Sequence, residues 1–407
     1  VTDTGHRPYA GRRVLLGVSG GIASYKTAWL ARLLTKAGAH VDVVLTRSAM
    51  EFVGAVTFEA LTGRPVYTGL FDGGHALDHI KLARAADAIV VAPATADLMA
   101  RAATGQANDL LTAVLLAATA PVLIVPAMND RMWSHAQTQA NAEHLRRLGY
   151  GVLAPDDGML AVGEGSGPGR MPEPETIFAH VGRVLDRGGR LEGRSILVTA
   201  GPTREPLDPV RFLSNYSSGK MGVAIAAAAW RRGADVTLIA GPLSVPTPVG
   251  VTLVPVHATL EMRDAVAEHL GDADVFVMSA APADYTPATP STGKIKKTGN
   301  ARTIELRETP DILVSTRDER RPGCIVVGFA LETDDLLENA KRKLESKGLD
   351  IVVLNAANEP GAGFGVDTNR VTLVQRGKSE TEQLPLMDKR DVAEEILDRV
   401  EALIGGR

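Results

Sequence analysis

The sequence predicts an α/β chain of two doubly wound, parallel-sheet domains in tandem. Short, continuously apolar runs alternate with helical stretches through both halves, the pattern of strands buried on both faces. A length of 407 residues suffices for two or three domains, each with its own core. A short Gly-rich segment, residues 188–193 (GGRLEG), reads as a linker between domains 1–187 and 194–407.

In the first half, residues 13–19 (RVLLGVS) form the opening strand. Residues 20–26 (GGIASYK) turn from it into a helix that runs to about Lys36, with Gly38 as its stop. Residues 40–46 (HVDVVLT), 88–93 (AIVVAP) and 122–126 (VLIVP) supply further strands, with helices between them. The uncharged stretch 110–129 approaches membrane-spanning length, but Pro121 and Pro126 interrupt it; helix, turn and buried strand is the better reading. Residues 174–187 form the closing helix. In the second half, strands fall at 196–200, 236–240, 251–254, 274–279, 325–328 and 350–354. Helices fall near 219–232, 258–270, 334–346 and 388–404.

Composition excludes several function classes. A net charge of −4, mixed in sign along the chain, argues against a nucleic-acid or membrane-surface partner. One cysteine, Cys324, rules out an intrachain disulfide and fits core packing. The first residues carry no apolar segment of the kind a secretion signal needs. Neither half has a GxGxxG turn, which counts against an ordinary nucleotide-dependent oxidoreductase.

In such sheets, ligands sit beyond the C-terminal ends of the strands. In the first half these ends carry Ser19, Gly20 and Gly21, then Thr46 and Ser48, then Pro93, Ala94 and Thr95, then residues 126–129 (PAMN). Ser19, Gly20 and Gly21 offer donors to a phosphate at a helix start. In the second half, residues 201–222 (GPTREPLDPVRFLSNYSSGKMG) lie between a strand and a helix. They gather Arg204, Arg211 and Lys220 beside Asn215, Ser217 and Ser218, which suits a substrate rich in phosphate or carboxylate oxygens.

The loops GVSGGIASYK, LTRSA, APATADL and PAMN, in that order, resemble those of the flavin-dependent phosphopantothenoylcysteine decarboxylases. Residues 201–222 closely resemble the signature of the phosphopantothenate–cysteine ligases. Together they resemble, over nearly the whole chain, the bifunctional family of coenzyme A biosynthesis. The resemblance implies a flavodoxin-like flavoprotein half followed by a Rossmann-like ligase half. It also implies FMN, CTP and Mg²⁺, a cytoplasmic location, and a homo-dodecamer built from flavin-domain trimers and ligase-domain dimers.

Residue by residue, the resemblance implies catalytic roles for His79, in the motif HIxL, and for Asn129, which would hold the substrate carboxylate. On the residues alone, His79 reads as a helix-end histidine, His75 is a nearby candidate, and Asn129 reads as a helix cap. FMN would meet Ser19, Gly20, Gly21, Thr46, Ser48, Pro93, Ala94 and Thr95. Catalysis in the ligase half would rest on Arg211, Asn215 and Lys294. CTP would meet Met278, Ser279, Ala280 and Asp284 (in the AAVADY-like segment), Lys294 (in KIKK), Pro310, Asp311, Ile312 and Leu313, then Phe329, Lys343 and Lys347. Phe329 would pack on cytosine and Asp284 would act directly or through a cation. Lys343 and Lys347 fall on one helix face at i, i+4.

The chain departs from the family at Val162, where the family's flap carries a proton-donating cysteine. Glu164, Ser166 and a water are the replacement donors weighed. The alternative is an active ligase with a degenerate or regulatory flavin domain.

Overall fold

The computed structural model describes residues 5–70, 77–160, 163, 165–297, 301–332, 336–356, 361, 363 and 365–406. The chain divides into two compact units, Val1–Arg187 and Gly188–Arg407.

The first unit runs β1 (Arg13–Val18), α1 (Ser24–Lys36), β2 (His40–Leu45), α2 (Arg47–Met50), α3 (Ala55–Thr62), β3 (Val66–Tyr67), α4 (Asp78–Ala85) and β4 (Ala88–Ala94). It continues through α5 (Ala96–Ala103), α6 (Leu110–Ala117), β5 (Val122–Pro126), α7 (Asp130–Ser134), α8 (Ala136–Arg147) and β6 (Gly151–Val152). The hairpin β7 (Asp156–Met159) and β8 (Ser166–Arg170), then α9 (Pro174–Leu185), close it. The main sheet is parallel in the order β3-β2-β1-β4-β5-β6, so its crossover lies between β1 and β4. Both faces are covered. Val14, Leu16, Val43 and Val90 pack with Leu30, Leu34, Phe58 and Ile177 on one side; Leu15, Ile89 and Val91 pack with Leu98, Leu111 and Leu145 on the other. Burial on both faces is why these strands read as unbroken apolar runs. The 110–129 stretch is α6, a turn and β5, as its prolines require. Among the described residues no helix is long and apolar enough to cross a membrane.

The second unit runs β9 (Ser195–Ala200), β10 (Arg204–Pro206), β11 (Phe212–Ser214), α10 (Lys220–Arg231), β12 (Asp235–Ala240), β13 (Thr252–Pro255), α11 (Thr259–Leu270), β14 (Val275–Met278), β15 (Tyr285–Pro287), β16 (Leu306–Glu308) and α12 (Ile312–Ser315). Then come β17 (Ile325–Glu332), α13 (Leu336–Ser346), β18 (Ile351–Ala356), β19 (Thr368–Asn369), β20 (Val371–Gln375), β21 (Glu382–Gln383), β22 (Met387–Asp388) and α14 (Lys389–Gly405). Its sheet has the order β13-β12-β9-β14-β17-β18-β20-β21. It is parallel through β18, and β20 and β21 are antiparallel additions. The crossover here lies between β9 and β14. Cys324 is half-buried and stands just ahead of β17, not inside it; it packs against the core that contains Val326 and Leu349.

Candidate active sites

In the first unit the crossover is closed by one hydroxyl. Ser19, directly after β1, donates from Oγ to Pro93 O at 2.8 Å and accepts from Thr95 N–H at 3.0 Å. Thr46 and Thr95 cap α2 and α5 by accepting from Ala49 N–H and Leu98 N–H, each at 3.2 Å. Gly20 lies so close to Ser48 that a Cβ there would stand 2.5 Å from the Ser48 Cβ, which accounts for a glycine at that position. Helix α1 begins with no side-chain cap; Ser24 N–H and Lys26 N–H instead donate to Gly21 O and Ala23 O, each at 3.0 Å.

Asn129 caps α7 through its Oδ1, which accepts from Arg131 N–H at 3.0 Å. That bond orients the amide and leaves Nδ2 as a donor, so cap and ligand contact are compatible. The hairpin β7–β8 rests on this loop. Met128 N–H donates to Gly169 O at 3.0 Å, and a Cβ on Gly169 would lie 2.2 Å from Met128 O. Gly169 thus permits backbone-on-backbone approach, and Gly167 leaves room for the Asp130 side chain. Ser166 lies on exposed β8, paired with Met159. His79 stands in the first turn of α4, half-buried, its Nδ1 buried without a partner. Val162, Glu164 and His75 lie outside the described residues.

In the second unit the strand ends enclose a cavity of about 740 Å³. It is lined by Asn215 and the start of α10, by Met278, Ser279, Ala280 and Asp284 after β14, and by Pro310, Asp311, Ile312 and Leu313. Phe329 and Lys347 also line it. Again a hydroxyl bridges the crossover: Thr199 Oγ1 accepts from Ser279 N–H at 3.2 Å and Ala280 N–H at 3.1 Å. Asn215 Nδ2 donates to Pro282 O at 2.8 Å, holding the 201–222 loop against the β14 segment. Lys347 pairs with Asp311 at 2.7 Å; it stands just past the end of α13 rather than on it.

Three expected residues do not line this cavity: Arg211, Lys294 and Lys343. Arg204 is also spent elsewhere, its guanidinium 4.6 Å from the Phe212 ring centre in the β10–β11 hairpin. Arg211 and the Lys294 segment are nevertheless joined, through a residue that sequence reasoning passed over. Asp208, its side chain wholly shielded from solvent, accepts from Val210 N–H and Arg211 N–H at 2.8 Å, from the Arg211 guanidinium and from Ile295 N–H at 3.1 Å. Burial pushes its carboxyl up, but these donors outweigh burial and hold it well below the usual carboxylate range. The signal was present in DPVR: an aspartate that turns the chain and pairs with an arginine three residues on.

Also unanticipated in the cavity wall are Asn355, Asn369 and Lys389. Among the described residues, no group of three or more His, Cys, Asp or Glu is placed to hold a metal ion.

Two family models match successive parts of the chain. Residues 3–185 match the family described as Flavoprotein, and residues 191–403 match the DNA/pantothenate metabolism flavoprotein C-terminal domain. The chain is 46% identical over 402 residues to the Coenzyme A biosynthesis bifunctional protein CoaBC of Vibrio vulnificus (strain YJ016), covering 97% of this chain and 99% of that one. It is 46% identical over 410 residues to the protein of that name from Mycolicibacterium smegmatis, covering 97% and 98% of the two chains. Against the Bacillus subtilis (strain 168) protein of that name, identity is 45% over 397 residues, covering 96% and 97%. The chain therefore belongs to the family of coenzyme A biosynthesis bifunctional proteins, enzymes that join a flavoprotein decarboxylase part to a ligase part.

Proposed function

We propose that the second unit couples 4′-phosphopantothenate to cysteine at the expense of CTP, and that the first unit decarboxylates the resulting 4′-phosphopantothenoylcysteine to 4′-phosphopantetheine. The observation that carries this reading is the cavity at the β9/β14 crossover, where Asn215, the start of α10, Asp284, Phe329 and Lys347 converge. A carboxylate is a poor acyl donor, so it is first activated. Its oxygen attacks the α-phosphorus of CTP, releasing pyrophosphate and forming an acyl-cytidylate; the cysteine amine then displaces CMP.

Asn215 has a second amide hydrogen to offer the acyl carbonyl beyond the one on Pro282 O. Arg211 supplies positive charge, locked by Asp208. Lys294 is carried by the segment that Asp208 pins at Ile295, and its role is to neutralise the triphosphate. Phe329 presents its ring to the cytosine. Lys347 and Asp311, already paired, offer a donor and an acceptor beside it, and Lys343 acts from the rim. Mg²⁺ enters with CTP, and Asp284 is the cavity carboxylate nearest in sequence to the crossover amides.

In the first unit the residues fit a phosphate-bearing flavin: a helix start beside Ser19, Gly20 and Gly21, and neutral hydroxyls at the neighbouring strand ends. Bound FMN would supply the reversible two-electron oxidation of the cysteine thiol end that makes loss of carbon dioxide easy. Asn129 Nδ2 holds the departing carboxylate without the strong ion pairing that would oppose its loss. His79 holds or moves a proton at its unpartnered Nδ1. The family resemblance further supports a dodecamer of flavin-unit trimers and ligase-unit dimers, which mass photometry checks.

A second reading rests on Val162 in place of the flap cysteine: an active ligase beside a degenerate flavin unit. Mass-spectrometric analysis of products, with phosphopantothenate, cysteine, CTP and Mg²⁺ supplied together, separates the two. Phosphopantetheine and CMP from a yellow protein support both activities, and Ser166→Ala and Glu164→Gln then test the replacement donors. Accumulated phosphopantothenoylcysteine supports the second reading. Absence of CMP sinks the ligase.

A further inference from the structure

Two helices begin at the far end of the second unit's cavity, and each begins with a lysine that lines it: Lys220 on α10 and Lys389 on α14. The helices are clamped together further along by Arg231 and Arg232 of the α10 end, both on Glu394 of α14. Lys389 is 6% exposed, far below what a lysine usually tolerates. Its ammonium donates to Gly363 O and Val366 O, both at 2.7 Å. The Lys220 ammonium donates to Gly365 O at 3.0 Å and to the Asp367 carboxylate at 2.6 Å. An ammonium has three donors, so each lysine keeps one beyond these bonds.

The charge around them is unbalanced. Asp367 is taken by Lys220, and Asp388 is taken by Arg390. Burial first, and the neighbouring Lys220 charge second, draw the Lys389 ammonium below the ordinary lysine range. Beside them Asn369, 1% exposed, lines the same cavity with its Oδ1 unpartnered while its Nδ2 meets Asn355 Oδ1 at 3.3 Å. Turning both amides over exchanges oxygen for nitrogen in place: Asn355 then donates to Asn369, and Asn369 Nδ2 takes the unpartnered position as a third donor.

We infer that Lys389, Lys220 and Asn369 form a phosphate subsite at this end of the cavity, which takes a tetrahedral phosphate carried by one of the two substrates. The inference rests on the proposed reading of this cavity. Two cations and an amide held at two helix starts match three phosphate oxygens and relieve the repulsion between the lysines. The phosphate comes either from the distal end of the nucleoside triphosphate or from the phosphorylated acid.

The test uses the full chain. Titration calorimetry compares wild type with Lys389→Met for pyrophosphate, CTP, CMP and phosphopantothenate. The subsite requires pyrophosphate affinity to fall about tenfold to a hundredfold, the range for one charge-assisted bond. Loss for CTP with CMP unchanged assigns the nucleotide as the source. Loss for phosphopantothenate with CTP unchanged assigns the acid. A merely structural lysine would weaken CMP as well. All four ligands bound within twofold of wild type would overturn the inference.

A measurement on the unsubstituted protein guards against a variant that does not fold. Pyrophosphate must change hydrogen exchange at the amides of 365–369, and unchanged exchange at saturation also overturns the subsite. The product assay is read separately: pyrophosphate held through Lys389 in a protein that makes no CMP keeps the subsite and sinks the ligase.

Discussion

The two crossovers share one device and differ in what surrounds it. In the first unit Ser19 Oγ ties β1 to the segment after β4 by bonding Pro93 O and Thr95 N–H; in the second, Thr199 Oγ1 ties β9 to the segment after β14 through Ser279 and Ala280 N–H. A parallel sheet leaves a crevice where strand order reverses, and a hydroxyl there fixes its width. Around the first crevice the candidate side chains are short and neutral: Ser19, Thr46, Thr95 and Asn129. Around the second they are charged, with Lys220, Lys347 and Lys389 in the wall beside Asp284, Glu308 and Asp311. Loss of a carboxylate as carbon dioxide is hindered by a tight cation, whereas a triphosphate needs several. One scaffold serves both chemistries because the crevice charge is placed at helix starts, in loops and on the β15–β16 hairpin, and not in the main-sheet strands.

The comparison breaks most visibly at Gly169. Its replacement by alanine sets a Cβ 2.2 Å from Met128 O, a contact that backbone cannot absorb. The hairpin must lift from the Asn129 loop, and a displacement near 1 Å costs on the order of a hundredfold in rate. Decarboxylation is expected to fall by that factor in Gly169→Ala while ligation stays within twofold, each followed by its own product. An equal loss in both would mean the two crevices are not independent.

The reverse asymmetry is expected for Asp208→Asn. The amide keeps the shape but loses the charge-assisted bonds to Arg211, each worth about 1.5–3 kcal/mol. Ligation efficiency should drop about tenfold to a hundredfold with decarboxylation of supplied phosphopantothenoylcysteine unchanged. A ligation rate within twofold of wild type would show that Arg211 needs no anchor.

Most of the scaffold was legible in the sequence, and the reason is burial. Strands covered on both faces must be apolar throughout, so β1, β4, β9 and β14 stand out without reference to anything distant. Gly38 was equally legible, and at φ +90 it ends α1; that Thr46 and Thr95 cap α2 and α5 was not read from the sequence. What could not be read was partnership between loops far apart in the chain. Nothing near Asp208 announces Ile295, and nothing near Lys389 announces the carbonyl of Gly363 or the α10 lysine. Helical spacing also paired Lys343 with Lys347, but α13 ends at Ser346, and of the two only Lys347, past that end, lines the cavity.

Removing the shared hydroxyls sharpens the comparison at the level of stability. Ser19→Ala leaves Thr95 N–H without its acceptor, and Thr199→Val leaves two N–H groups without theirs; each orphaned half-buried group costs at most about 1–3 kcal/mol, the figure for full burial. Thr199→Val is expected to cost more, since two donors are stranded instead of one. Urea unfolding of each variant measures the difference, and a larger loss in Ser19→Ala would reverse the ranking of the two seals.

The smallest effect belongs to Asp109, which starts α6 in the first unit. It accepts from Thr112 N–H at 2.8 Å and pairs with Arg101 at 2.6 Å. Burial pushes its carboxyl up, but Thr112 and Arg101 outweigh it, and the folded value lies below the ordinary one. A carboxyl with a depressed folded value stabilises fully above its unfolded value, about 3.9, and loses that contribution as pH falls through the folded value. Asp109→Asn retains a capping oxygen and cannot titrate. Wild type should therefore exceed the variant at pH 7 by about 1 kcal/mol or less, because Asp109 is a third exposed and its pair with Arg101 is partly screened. The gap should close as pH falls below about 4, through the depressed folded value. In the second unit Asp388 caps α14 and pairs with Arg390, while Asp311 and Asp367 meet lysines of the cavity itself. Acid should thus weaken the first unit through its scaffold and the second also through its site, and scanning calorimetry of Asp109→Asn across that range distinguishes the two.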